Sequence, residues 1–146
     1  MSILDRLSDN FRVDVIEVPS TEESIERLKE FSPIDVPEDY LSIIRKGTDV
    51  EIFVKLENED FDMYIRFWGA DFVVSENEAL NLEFLSDSLI IGDNEGGQVI
   101  VYTTGPEGFG VYLTGYGVLD KNESTFIALS LEDFLTKNVG IERLAE

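Results

Sequence analysis

Leu89-Ile90-Ile91-Gly92-Asp93-Asn94-Glu95-Gly96-Gly97-Gln98-Val99-Ile100-Val101-Tyr102-Thr103 is the stretch that decides the fold. A short apolar run, a polar turn rich in glycine and a second apolar run are the pattern of two antiparallel strands joined by a tight connection. Residues 105–108 repeat the turn chemistry, and Phe109 to Leu113 supply a further strand. Eight of the eleven glycines fall between Gly92 and Gly117, which marks tight turns between strands.

Working outward toward the N-terminus, the period of two continues. Val50, Ile52, Val54 and Leu56 suit one strand and Met63 to Trp68 another, joined through the acidic connection Glu57-Asn58-Glu59-Asp60. Before them the period is helical. Ser20 and Glu23 have capping-box spacing, Ile25, Leu28 and Phe31 share one stripe, and Pro33 stops the helix. Val36-Pro37-Glu38-Asp39 opens a second helix, with proline at its first position and two acids at the positive end of its dipole. Tyr40, Leu41, Ile43 and Ile44 give that helix a buried side, and Gly47 suits its C-terminal cap. Phe11 to Val18 reads as a first strand or extended lead-in. Ser75 to Phe84 fits either a short helix or an irregular crossover. Thr125 to Leu129 forms a last strand, and Ser130-Leu131-Glu132-Asp133 starts a closing helix with Phe134 and Leu135. The expectation is one α+β domain over residues 1–146, with N-terminal helices, a central, mostly antiparallel twisted sheet and a C-terminal helix. Its core should include Ile25, Leu28, Phe31, Tyr40, Ile43, Ile44, Ile90, Val99, Val101 and Phe134.

The chemistry that is missing narrows function. There is no cysteine and no histidine. Disulfides, thiolate metal sites and every nucleophile that needs an imidazole are therefore excluded. Gly105, Gly108 and Gly110 open no helix, so the glycine run is no phosphate loop. Asp93-Asn94-Glu95-Gly96-Gly97 fails as a calcium loop, because the sixth and twelfth positions hold Gln98 and Thr104. No cofactor, metal or catalytic residue is expected. No stretch approaches the roughly 20 apolar residues of a membrane helix, and no apolar leader segment follows a basic start, so a cytoplasmic protein is expected.

The net charge of −20 excludes nucleic acid and anionic lipid as partners and favours a basic protein surface. No lysine or arginine lies between Arg66 and Lys121, an interval holding nine acids (Asp71, Glu76, Glu78, Glu83, Asp87, Asp93, Glu95, Glu107 and Asp120). A one-signed field of this kind destabilises by self-repulsion and accelerates capture of an oppositely charged partner. The candidate partner-binding residues are Glu57, Glu59, Asp60 and Asp62 in one connection, Asp93 and Glu95 in a second, and Glu107 in a third. Tyr64, Phe67, Trp68, Phe72, Phe109, Tyr112 and Tyr116 are the candidate aromatic anchors beside them.

Three blocks in order resemble the SUKH superfamily of Smi/Knr type. Val36-Pro37-Glu38-Asp39-Tyr40-Leu41 with Ile43-Ile44 and Gly47 is similar to its proline-acid-aromatic helix opening. Leu89 to Gly92 with Gly96-Gly97 and Gln98 to Tyr102 is similar to its central hairpin, and Phe126 to Leu135 to its closing block. The resemblance covers approximately residues 20–138. Lys46-Gly47-Thr48, Gln98 and Leu131 depart from the common pattern. What the resemblance implies is an α+β fold, no catalysis, and kinship with bacterial immunity proteins that bind and neutralise a basic toxin domain of a polymorphic toxin, often a nuclease. The alternative it carries is a regulatory scaffold binding signalling or cell-wall-synthesis proteins. A carboxylate-based hydrolase is the remaining class.

Overall fold

A computed structural model describes residues 2–57 and 62–145. Seven strands form one sheet in the order of the chain: β1 (Phe11–Glu17), β2 (Thr48–Val54), β3 (Met63–Phe67), β4 (Leu89–Asp93), β5 (Gln98–Gly105), β6 (Gly108–Gly115) and β7 (Thr125–Ala128). Every neighbouring pair is antiparallel. Helices α1 (Glu22–Phe31) and α2 (Glu38–Ile44) separate β1 from β2. α3 (Ala70–Ala79) separates β3 from β4, and α4 (Leu131–Lys137) follows β7. The fold is α+β, with the helices and strands in the expected order. No helix among the described residues is long and apolar enough to cross a membrane.

Alternation places β2 and β3. Val50, Ile52 and Val54 with Ile65 and Phe67 are buried, so Asp49, Glu51, Phe53, Tyr64 and Arg66 point the other way. In β5 and β6 the alternation is lost, because Val99 to Thr103 and Gly110 to Thr114 are buried without a break. Both faces of the central strands are covered. The ten expected core residues are buried except Phe31, which packs half-buried against the core.

Several local expectations are corrected. Thr21, not Ser20, caps α1, its hydroxyl accepting from Ser24 N at 3.0 Å. The Ser20 hydroxyl instead accepts from Ala70 N at 3.0 Å, at the first residue of α3, and so ties the two helix starts together. Pro37 precedes the first turn of α2 as its extended cap residue. Gly47 is not needed for a left-handed cap. A Cβ there would lie 2.1 Å from Ile16 Cγ1 and 2.8 Å from Glu17 O, so the residue is small because β1 passes against it. The Ser75–Phe84 stretch divides between the end of α3 and a loop.

α3 also solves a pairing problem. β3 pairs with β4 only at Arg66–Asp93 and Phe67–Gly92, then leaves the sheet. The Asn77 carboxamide takes over the open edge of β4, with Nδ2 donating to Ile90 O at 2.9 Å and Oδ1 accepting from Ile90 N at 3.0 Å. One buried side chain thus stands in for a strand.

Candidate partner-binding groove

The outward side of β1, β2 and β3 meets the start of α3 in a groove of two lobes. One lobe, about 360 Å³, is lined by Val15, Glu17, Glu51, Arg66 and Trp68. The other, about 330 Å³, runs past Val18, Pro19, Thr21, Thr48 and Ala70. Asp49 and Phe72 belong to both and form the ridge between them. Phe72 is 47% exposed, and its ring meets buried Trp68 edge to face at 5.0 Å and 87°. The Trp68 ring therefore fixes Phe72 from beneath while leaving ring surface to solvent.

Asp93 organises the base of this surface. Its Oδ2 accepts from Arg66 Nη2 at 3.0 Å, Arg66 Nε at 3.3 Å and Trp68 Nε1 at 2.7 Å, and its Oδ1 accepts from Glu95 N at 2.9 Å. With four donors and only 3% exposure, Asp93 has no oxygen to offer a partner. It is a framework residue, and its expected place among the docking acids is corrected. Arg66 is similarly committed, which leaves the carboxylates around it in excess. Glu95, exposed on the β4–β5 turn, has its carboxyl pushed above the ordinary range by desolvation first and then by the charge of Glu51. Asp49 and Glu95 both hold positive φ, 46° and 54°, a conformation rare for residues with a Cβ.

The remaining expected residues do not converge. Asp62 precedes β3, where its charge acts on Tyr64 and Arg12. Glu57 lines a separate cleft with Asn10, Lys55 and Glu142. Glu107 lies in the β5–β6 turn, at the opposite end of β5 from Glu95. Glu59 and Asp60 fall outside the described residues. The structure instead gathers Glu17, Asp49 and Glu51 beside Glu95. Their signal was available for β2, since placing Val50, Ile52 and Val54 inward forces Asp49 and Glu51 outward. Of the aromatic candidates, Phe67, Trp68 and Tyr112 are buried, Tyr64 is half-buried, and Phe72, Phe109 and Tyr116 are exposed.

A larger cleft of about 520 Å³ lies where α2, β5 and the start of α4 meet, with Asp39 and Tyr102 on its wall. Asp39 accepts the Tyr102 hydroxyl at 2.7 and 2.9 Å, Leu131 N at 2.8 Å, Glu132 N at 3.2 Å and Tyr40 N at 2.7 Å. Burial, and then the Asp39 charge, holds the Tyr102 phenol well above its ordinary pKa, so it stays a hydrogen-bond donor. These groups are spent on joining α2, β5 and α4. Among the described residues no group of three or more carboxylates is placed to hold a metal ion.

No curated protein matches the chain. The profile of the SMI1 / KNR4 family (SUKH-1) matches residues 19–137, the stretch that carries the helix-opening, central-hairpin and closing blocks, and the chain belongs to that family.

Proposed function

We propose that this protein is a non-catalytic immunity protein that binds a basic toxin domain, a nuclease, and occupies its substrate surface. The observation that carries the reading is the acid-rimmed groove around Phe72 on a chain of net charge −20. A nuclease must attract phosphate through a cationic cleft, and a surface bearing Glu17, Asp49, Glu51 and Glu95 competes for the same cations. An exposed ring at the centre of such a surface supplies the apolar anchor, while the acids at its rim speed encounter. Membership of the SMI1 / KNR4 family supports the reading, because immunity proteins are what the motif resemblance implies.

The test is co-expression with a basic toxin domain encoded beside this chain, followed by joint reversal of Glu17, Glu51 and Glu95 to lysine. Protection should be lost while the variant still folds. A second variant reverses Glu57, Glu59, Asp60 and Asp62, and should slow association without abolishing protection. Protection that survives both sets of changes would sink the acidic-surface reading. Failure of the wild-type chain to protect against such a toxin would move the assignment to a regulatory scaffold for basic signalling or wall-synthesis proteins.

A further inference from the structure

We propose that the occupant of the two-lobed groove is an arginine-bearing segment of the partner, with one guanidinium laid against the Phe72 ring and paired with Asp49 and Glu51. This rests on the partner-binding reading above and gives it a chemistry. A guanidinium is planar, weakly hydrated and always charged, so it can lie on an aromatic face while its donors reach carboxylates at the ring's edge. An ammonium has the charge without the plane.

Three features of the groove favour that group. Phe72 is the exposed ridge, and Trp68 beneath it keeps the ring in place. Asp49 shares both lobes with Phe72, and Glu51 lines one of them, so carboxylates stand beside the ring. Among the described residues Arg66 is the one cation lining the groove, and it is already bound by Asp93, so the groove's carboxylates outnumber its positive charge. The same sheet face also holds an internal example of the arrangement. The Arg12 guanidinium sits 4.7 Å from the Phe53 ring centre and pairs with Asp14 at 2.6 Å. Val15 and Val18, both exposed, extend the floor on either side for the apolar neighbours of the inserted arginine.

The test uses the full chain, labelled with nitrogen-15, and a short peptide alternating arginine and glycine, with a lysine-glycine counterpart of equal charge. Amide shifts should centre on Val15, Asp49, Glu51 and Phe72. The arginine peptide should bind about two- to five-fold more tightly, the range that a ring–cation contact at an exposed site allows. Phe72→Leu keeps an apolar side chain at an exposed position and should erase the difference between the peptides, leaving the rest of the spectrum unchanged. Equal affinities in the wild type, or shifts centred away from the groove, would overturn the inference. Protection against the toxin that survives Phe72→Leu combined with Glu51→Lys would overturn the groove but leave an immunity role standing. Arginine-selective binding in the groove, with no toxin neutralised, would do the reverse.

Discussion

Asp39 takes hydrogen bonds from four residues, and three of them lie outside its own helix. Two are backbone amides at the first turn of α4, which need an acceptor that α4 itself cannot supply. Asp39→Asn puts an amide group where those donors point. The change should cost about 3 kcal/mol in a urea melt, the upper end for hydrogen bonds to a charged group. Tyr102→Phe removes one donor to that carboxylate and the acceptor of Leu131 N, and should cost about 1.5–3 kcal/mol. Glycines give a second contrast at this scale. Gly140 has φ 78°, and a Cβ there would lie 1.9 Å from Ile127 O. Gly97 has φ 95° with nothing within 4 Å. Gly97→Ala should therefore carry only the backbone penalty of about 1–2 kcal/mol, and Gly140→Ala clearly more. Glu95 provides a titration. Its folded-state pKa is raised, so its charged form disfavours the native state above that pKa, and the effect disappears once pH falls below the ordinary carboxylate value. Glu95→Gln should accordingly raise the melting temperature at neutral pH and leave it unchanged in acid.

Among the elements, α2 and the β4 edge test the packing. Ile44 is fully buried, and Ile44→Ala should cost about 2–5 kcal/mol. Thermal melts without a loss would place it at the surface and break the assignment of α2. Asn77→Ala strands the Ile90 amide and carbonyl, which should cost about 1–3 kcal/mol and speed exchange of the Ile90 amide. These two elements differ in how far their sequences announce them. α2 is legible because Pro37, Glu38 and Asp39 precede a clean apolar side. The start of α3 is not, since Ala70-Asp71-Phe72-Val73-Val74 has no capping side chain of its own and borrows Ser20 from fifty residues earlier in the chain. The groove inherits that illegibility. Asp49 and Glu51 follow from the alternation of β2, whereas Phe72 beside them depends on where α3 begins. Asp93 misleads for the opposite reason. It looks like a turn acid, and only the return of Trp68 and Arg66 to the same strand pair turns it inward.

Charge is the property of the molecule taken whole, and it makes folding and capture respond to salt with opposite signs. The chain has 31 acids against 11 bases. Most of those bases already sit in ion pairs: Arg6, Arg12, Arg27, Lys29, Arg45, Lys46, Arg66, Lys137 and Arg143 all do. Among the described residues only Arg66–Asp93 involves a buried carboxylate, and exposed pairs contribute little. What remains is a surplus of carboxylates repelling one another through solvent. Raising salt from about 0.01 M to about 0.15 M shortens the screening length from roughly 30 Å to roughly 8 Å. The folded state should then gain stability, with the melting temperature rising about 2–4 °C for each kcal/mol of repulsion relieved. Capture of a basic partner should slow over the same range, because screening removes the attraction that steers encounter. Dissociation should change much less, because in the proposed docking Phe72 and its neighbours would hold the complex by contact. Scanning calorimetry and stopped-flow mixing along one salt series measure both responses. A melting temperature that falls with salt would mean that the ion pairs outweigh the repulsion. An association rate indifferent to salt would leave the surplus charge without a part in binding.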